Sequence, residues 1–248
     1  MAKKINRIGE RRIMNCNKWC EIIEYNNAND VIVRFDSGFE TKCQYHQFKI
    51  GNIKDKFAST VCSKGIIGDE VTIDNYGNQL PSYKCWYSMI HRCYDKHLKR
   101  DKSYINCEVC EEWLHYSNFK KWYDKNYYEI ERENMCLDKD ILIKGNKIYS
   151  PNTCIFVPNR INVLFAKSDS TRGKLPIGVS KYNNKYKSYI LIDGKQKHLG
   201  VYDNEIDAFN SYKIAKENEI KRIADYYKEN IPNKLYLAMY NWKVEIDD

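Results

Sequence analysis

Residues 135–165, MCLDKDILIKGNKIYSPNTCIFVPNRINVLF, constrain the fold of this chain more than any other stretch. Leu137, Ile141 and Ile143 give a partly alternating apolar run, the pattern of a half-buried strand. Gly145 and Asn146 turn the chain, and residues 153–157 form a second strand. Pro158 suits the first turn of a helix, where its missing N–H costs nothing. Ile161, Leu164 and Phe165 then face a core. Two short strands and one helix bury too little to stand alone. Such a unit takes its core from flanking helices or from a metal.

Composition bounds the partners. The chain has 248 residues, with 41 Lys and Arg against 33 Asp and Glu, a formal net charge of +8. That balance favours a polyanion as partner. No stretch approaches the ~20 apolar residues of a membrane span, and the N-terminal MAKKINRIGERR lacks the apolar core of a secretory signal. A cytoplasmic protein with no membrane partner is expected. Among ten cysteines only Cys107 and Cys110 stand in a tight CxxC, so reduced thiols and one zinc site are expected in preference to a disulfide framework.

The rest of the chain reads as α+β and multidomain. Residues 1–57 hold three short apolar strands separated by NNAND and DSG, a meander similar in pattern and length to small Tudor-like β barrels. Residues 58–80 contain Gly65, Gly68 and Gly77 with little periodicity, the signature of a linker or short hairpin. In residues 81–166, Trp86, Met89, Ile90 and Cys93 recur at helical spacing ahead of the strand–turn–strand–helix unit. Trp113, Phe119, Trp122 and Tyr123 read as core aromatics. Residues 173–248 change grammar: three short strands, then a long amphipathic helix capped at Asp203 or Asn204 and bearing Phe209, Tyr212, Ile220, Ile223 and Tyr227.

Residues 171–201 carry seven basic side chains (Arg172, Lys174, Lys181, Lys185, Lys187, Lys195, Lys197) against one acidic residue, Asp193. A sheet with a basic face and a helix on its other face can lie in the major groove of double-stranded DNA, its cations on phosphates. The run also resembles the APETALA2/ethylene-response-factor-like DNA-binding domain, through Gly178-Val179, Tyr186, Tyr189, Ile190, Gly194-Lys195, Leu199-Gly200-Val201-Tyr202, Ala208 and Tyr212. The resemblance implies three antiparallel strands on one helix, the sheet reading DNA. Lys stands at most positions where the plant proteins place Arg, and Lys lacks the two-pronged contact to guanine that gives sequence specificity.

Through LDKDI, Asn146, TCIFVP and Asn162, residues 135–165 resemble the HNH homing endonucleases of phages and mobile elements. That likeness implies hydrolysis of DNA phosphodiesters with Mg²⁺ or Mn²⁺, a His as general base, and amides that orient the site. On this pattern Asp138 and Asp140 are the metal ligands and Asn146 and Asn162 the orienting amides, while Lys139 falls at the general-base position. An exposed lysine, with a pKa near ~10.4, takes a proton only when strongly desolvated. The alternative is therefore a catalytically inactive relative that acts as a DNA-binding regulator, or that inhibits a host nucleic-acid-binding defence protein. Cys107, Cys110, Cys136 and Cys154 are candidate ligands of a structural Zn²⁺ closing the small unit.

Overall fold

The computed structural model describes residues 6–95, 104–166 and 175–247. The chain is mixed α and β, with separate antiparallel sheets of four and three strands. It divides into two compact units, Met1–Lys125 with Ile148–Ser150, and Asn126–Lys147 with Pro151–Asp248. The boundary falls inside the segment 81–166 that the sequence pattern joins as one domain. No helix among the described residues is long and apolar enough to cross a membrane.

In the first unit, β1 (Arg11–Ile13), β2 (Trp19–Asn27), β3 (Asp30–Phe35) and β4 (Glu40–Cys43) pair in that order. Alternation turns Cys20 and Ile22 of β2, and Val31, Val33 and Phe35 of β3, into one core. Phe48 of α1 (Tyr45–Ile50) completes it, with Met14 and Ile53. The sequence pattern shows only three of these strands. All three β1 side chains are exposed and its place rests on backbone pairing to β2, so it has no apolar alternation to detect. Among the described residues no ladder joins β1 to β4 as a closed ring would require.

Residues 58–80 are more than a linker. Val61 bridges Gly65, Ile66 bridges His115 in parallel, and Ile73 bridges Gln79. The Trp86 ring lies so close to Gly65 that an added Cβ would sit 2.8 Å from it. Trp86 belongs to α2 (Pro81–Tyr94), which starts with Pro at its first turn and buries Met89, Ile90 and Cys93 on the same face. After β5 (Glu108–Val109), α3 (Glu111–Leu114) and α4 (Tyr116–Asn126) supply Trp113, Tyr116 and Phe119, all fully buried. The Trp86 indole N–H donates to the Trp113 carbonyl at 2.7 Å, and Trp113 packs edge-on to Phe119. The aromatics are core, as their spacing requires.

In the second unit, β6 (Met135–Asp138) pairs antiparallel with β8 (Ile155–Pro158) and leads into α5 (Asn159–Leu164). The intervening β7 (Ile148–Tyr149) instead pairs with β5, in parallel, within the first unit. The first strand stops at Asp138, well short of Ile143. There the Asp138 carboxylate accepts the N–H groups of Asp140 and Ile141 at 2.9 and 2.7 Å, an Asx-type turn that competes with the ladder.

The last sheet has the order β11 (Lys195–Tyr202), β10 (Lys185–Ile192), β9 (Val179–Tyr182). It is covered by α6 (Glu205–Tyr227), capped by Asn204, whose side chain accepts the Asp207 N–H at 2.9 Å. α6 serves two cores. Its first turns place Ala208, Phe209 and Tyr212 on Val179 and Ile190 of the sheet. Its last turns place Ile220, Ile223, Ala224 and Tyr227 against Ile141, Ile155, Val157 and Ile161 of the β6–β8–α5 unit, and Leu235 and Met239 of α7 (Asn233–Tyr240) close that cluster. The small unit thus takes its core from helices far downstream in the chain.

Candidate functional site

Two places in the second unit bring functional candidates together: the loop after β6 and the outer face of the last sheet. In the loop, Asp138, Lys139, Asp140 and Asn146 are neighbours. Lys139 is 6% exposed, and its Nζ pairs with Asp140 Oδ2 at 3.2 Å. The Asn146 amide donates to the Lys139 carbonyl at 2.7 Å, fastening residue 146 onto the position of the expected general base. Burial raises the Asp138 carboxyl to about 6, and the nearby Asp140 charge adds to that, while the two backbone N–H donors oppose it. Asn162 stands in the middle of α5, partly buried.

A hard divalent cation prefers six or more oxygen ligands, several of them carboxylate or water. Here one Asp138 oxygen already holds two backbone N–H groups, and Asp140 already faces an ammonium. Among the described residues no third His, Cys, Asp or Glu converges on this pair. The donor set does not fit a Mg²⁺ or Mn²⁺ centre. The loop has the connectivity of a strut: two side chains tie its ends to its own backbone.

The sheet face follows from register. Tyr186, Ile190 and Ile192 of β10 pack toward α6, and Ser188 between them is buried. Lys185, Lys187, Tyr189 and Leu191 therefore point outward. Cross-strand pairing adds Ser180 and Tyr182 from β9 and Gln196, His198 and Val201 from β11 to the same side. Leu191 is 62% and Tyr182 53% exposed, so this face is open, and it is aromatic, apolar and basic together. Lys181, Lys195 and Lys197 pair with Tyr186, Ile192 and Ile190, which puts them on the helix side, at its exposed rim. Arg172 and Lys174 lie outside the described residues. Of the five basic residues among those described, Lys185 and Lys187 thus share the outward face. The one acid of the stretch, Asp193, is held by Arg160 at 2.6 Å and Arg222 at 3.3 Å. Counting charge along the stretch misses Tyr182, Tyr189, Leu191 and His198; the period-2 alternation against Tyr186, Ile190 and Ile192 carries the signal for them.

Of the cysteines expected to bind zinc, Cys107 and Cys110 belong to the first unit, and Cys136 and Cys154 to the second. Burial raises the Cys110 thiol, and Cys136 donates weakly to Asn159 Oδ1 at 3.6 Å. Comparison with protein-family models, with curated proteins and with solved structures gives no match for this chain.

Proposed function

We propose that this protein binds double-stranded DNA through the outer face of the β9–β10–β11 sheet. The observation that carries the reading is that face itself: Lys185 and Lys187 flanked by Tyr182, Tyr189, Leu191 and His198, all on the side away from α6. Lysines neutralise phosphates and release counterions, and a sheet of this width can enter a major groove. Exposed aromatic and apolar groups contact sugar edges and thymine methyls. Lys185 also meets Asp203 at 2.8 Å, an exposed pair that phosphate can displace at little cost. In this reading the β6–β8–α5 unit buttresses the sheet's covering helix, and the protein acts as a DNA-binding regulator.

A salt titration of duplex binding tests this. Lys185→Glu with Lys187→Glu should weaken affinity at least tenfold and flatten the slope of log K against log salt by about 2, at roughly 0.9 for each phosphate left without its lysine. Lys195→Glu with Lys197→Glu, on the helix side, should cost less. Equal losses in the two double variants would sink the assignment of the outer face.

The same reading expects no metal-dependent cleavage, because Asp138 and Asp140 are already engaged by backbone N–H groups and the Lys139 ammonium. Supercoiled plasmid incubated with Mg²⁺ or Mn²⁺ should stay intact while duplex binding persists. Nicking by the wild type that is lost in both Asp140→Ala and Asn162→Ala would overturn the regulator.

A further inference from the structure

We infer that the first unit carries a zinc site built from Cys62, His91 and Asp95. One ligand atom from each residue lies within 4.8 Å of the other two, and all three side chains are partly buried. Tetrahedral zinc, with bonds of ~2.0–2.3 Å, sets its ligands about 3.3–3.8 Å apart. The present spacing therefore needs only small side-chain movements to close on an ion. Thiolate, imidazole and carboxylate together select a borderline-soft cation, and three protein ligands leave a fourth position for water.

The fold holds the three groups from both sides. His91 and Asp95 are four residues apart at the C-terminal end of α2, so one helical turn brings their side chains to the same face, where His91 Nδ1 and Asp95 Oδ2 stand 2.9 Å apart. The Tyr87 ring packs on the imidazole with centroids 4.1 Å apart and fixes its plane. Cys62 arrives from the tight 61–65 turn. The Val61–Gly65 bridge closes that turn, and Gly65 seats it directly on Trp86 of the same helix. Cys62 and Ser63 both have left-handed backbone, φ 51 and 58, which non-glycine residues adopt at a cost. A soft ligand is thus presented by a rigid turn to two harder ligands on a rigid helix, an arrangement suited to a preorganised site.

The test uses the full-length reduced protein and Co²⁺ as a spectroscopic substitute for zinc. One equivalent of Co²⁺ should bind with tetrahedral ligand-field bands and a thiolate charge-transfer band, and Zn²⁺ should displace it. Cys62→Ser, nearly isosteric, should abolish the charge-transfer band, and both it and Asp95→Asn should weaken Zn²⁺ affinity about tenfold or more. A Cys107→Ser/Cys110→Ser variant should bind as the wild type does. Far-UV circular dichroism of every variant identifies any that fail to fold. The inference is overturned if the wild type takes up no metal, if a folded Cys62→Ser variant keeps the charge-transfer band, or if the band disappears in the Cys107→Ser/Cys110→Ser variant.

Discussion

Asp138 holds its proton more tightly in the folded chain than in the unfolded one, where a carboxyl titrates near ~3.9; burial and the neighbouring Asp140 raise it to about 6. Below about pH 3 the group is protonated in both states and favours neither. As the pH rises from 4 to 6 the unfolded chain releases its proton first, so this residue lowers stability across that window. Asp138→Asn keeps an oxygen for the Asp140 and Ile141 N–H groups and removes the charge. It should therefore be more stable than wild type by about 3 kcal/mol at pH 7.5, two pH units at ~1.4 kcal/mol each, and equal to it near pH 3. Thermal melts of the two proteins at a series of pH values give the difference directly, and a difference that does not change with pH would refute the assignment. The turn at Gly145-Asn146 is legible in the sequence, but the strand end at Asp138 is not, because Leu137, Ile141 and Ile143 read as one apolar run. The burial of Lys139 and the hold of Asn146 on its carbonyl also leave no sequence signal, because both depend on what packs around the loop.

Among the elements, the last sheet and its helix are the most readable. Strand runs separated by Asn-Asn and Asp-Gly, then an asparagine cap and a helical apolar stripe, are enough to specify three strands and a covering helix. Gly178 adds a sharper constraint. Its φ is +76, and a Cβ there would fall 2.0 Å from the Tyr212 ring of α6. Gly178→Ala should cost about 2–4 kcal/mol, from left-handed backbone and overpacking together. A comparable denaturant midpoint for variant and wild type would show that the sheet does not close on the helix this tightly. Which lysines face outward is equally present in the alternation of β10, and is lost when charge is summed over the stretch without regard to side. β1 is not legible in this way, because an edge strand with three exposed side chains leaves no apolar period.

At the scale of the whole molecule, α6 decides how the second unit holds together. Helical periodicity identifies Ile220, Ile223 and Tyr227 as buried, but gives no partner for them, and 173–248 could have been self-contained. Instead these residues, with Leu235 and Met239, cover Ile141, Ile155, Val157 and Ile161, so the sheet core and the β6–β8–α5 core share one helix. The small unit should then have no stability of its own apart from α6 and α7. Leu235→Ala, at a fully buried position, should cost about 2–5 kcal/mol. The loss should reach the β6 and β8 amides, more than seventy residues earlier in the chain, to the same extent as those of α6. Native-state hydrogen exchange reads this directly, since amides that open together report one cooperative unit. If the β6 and β8 amides keep wild-type protection while α7 exchanges freely, the two cores are separate and the strands are held by something other than the helix.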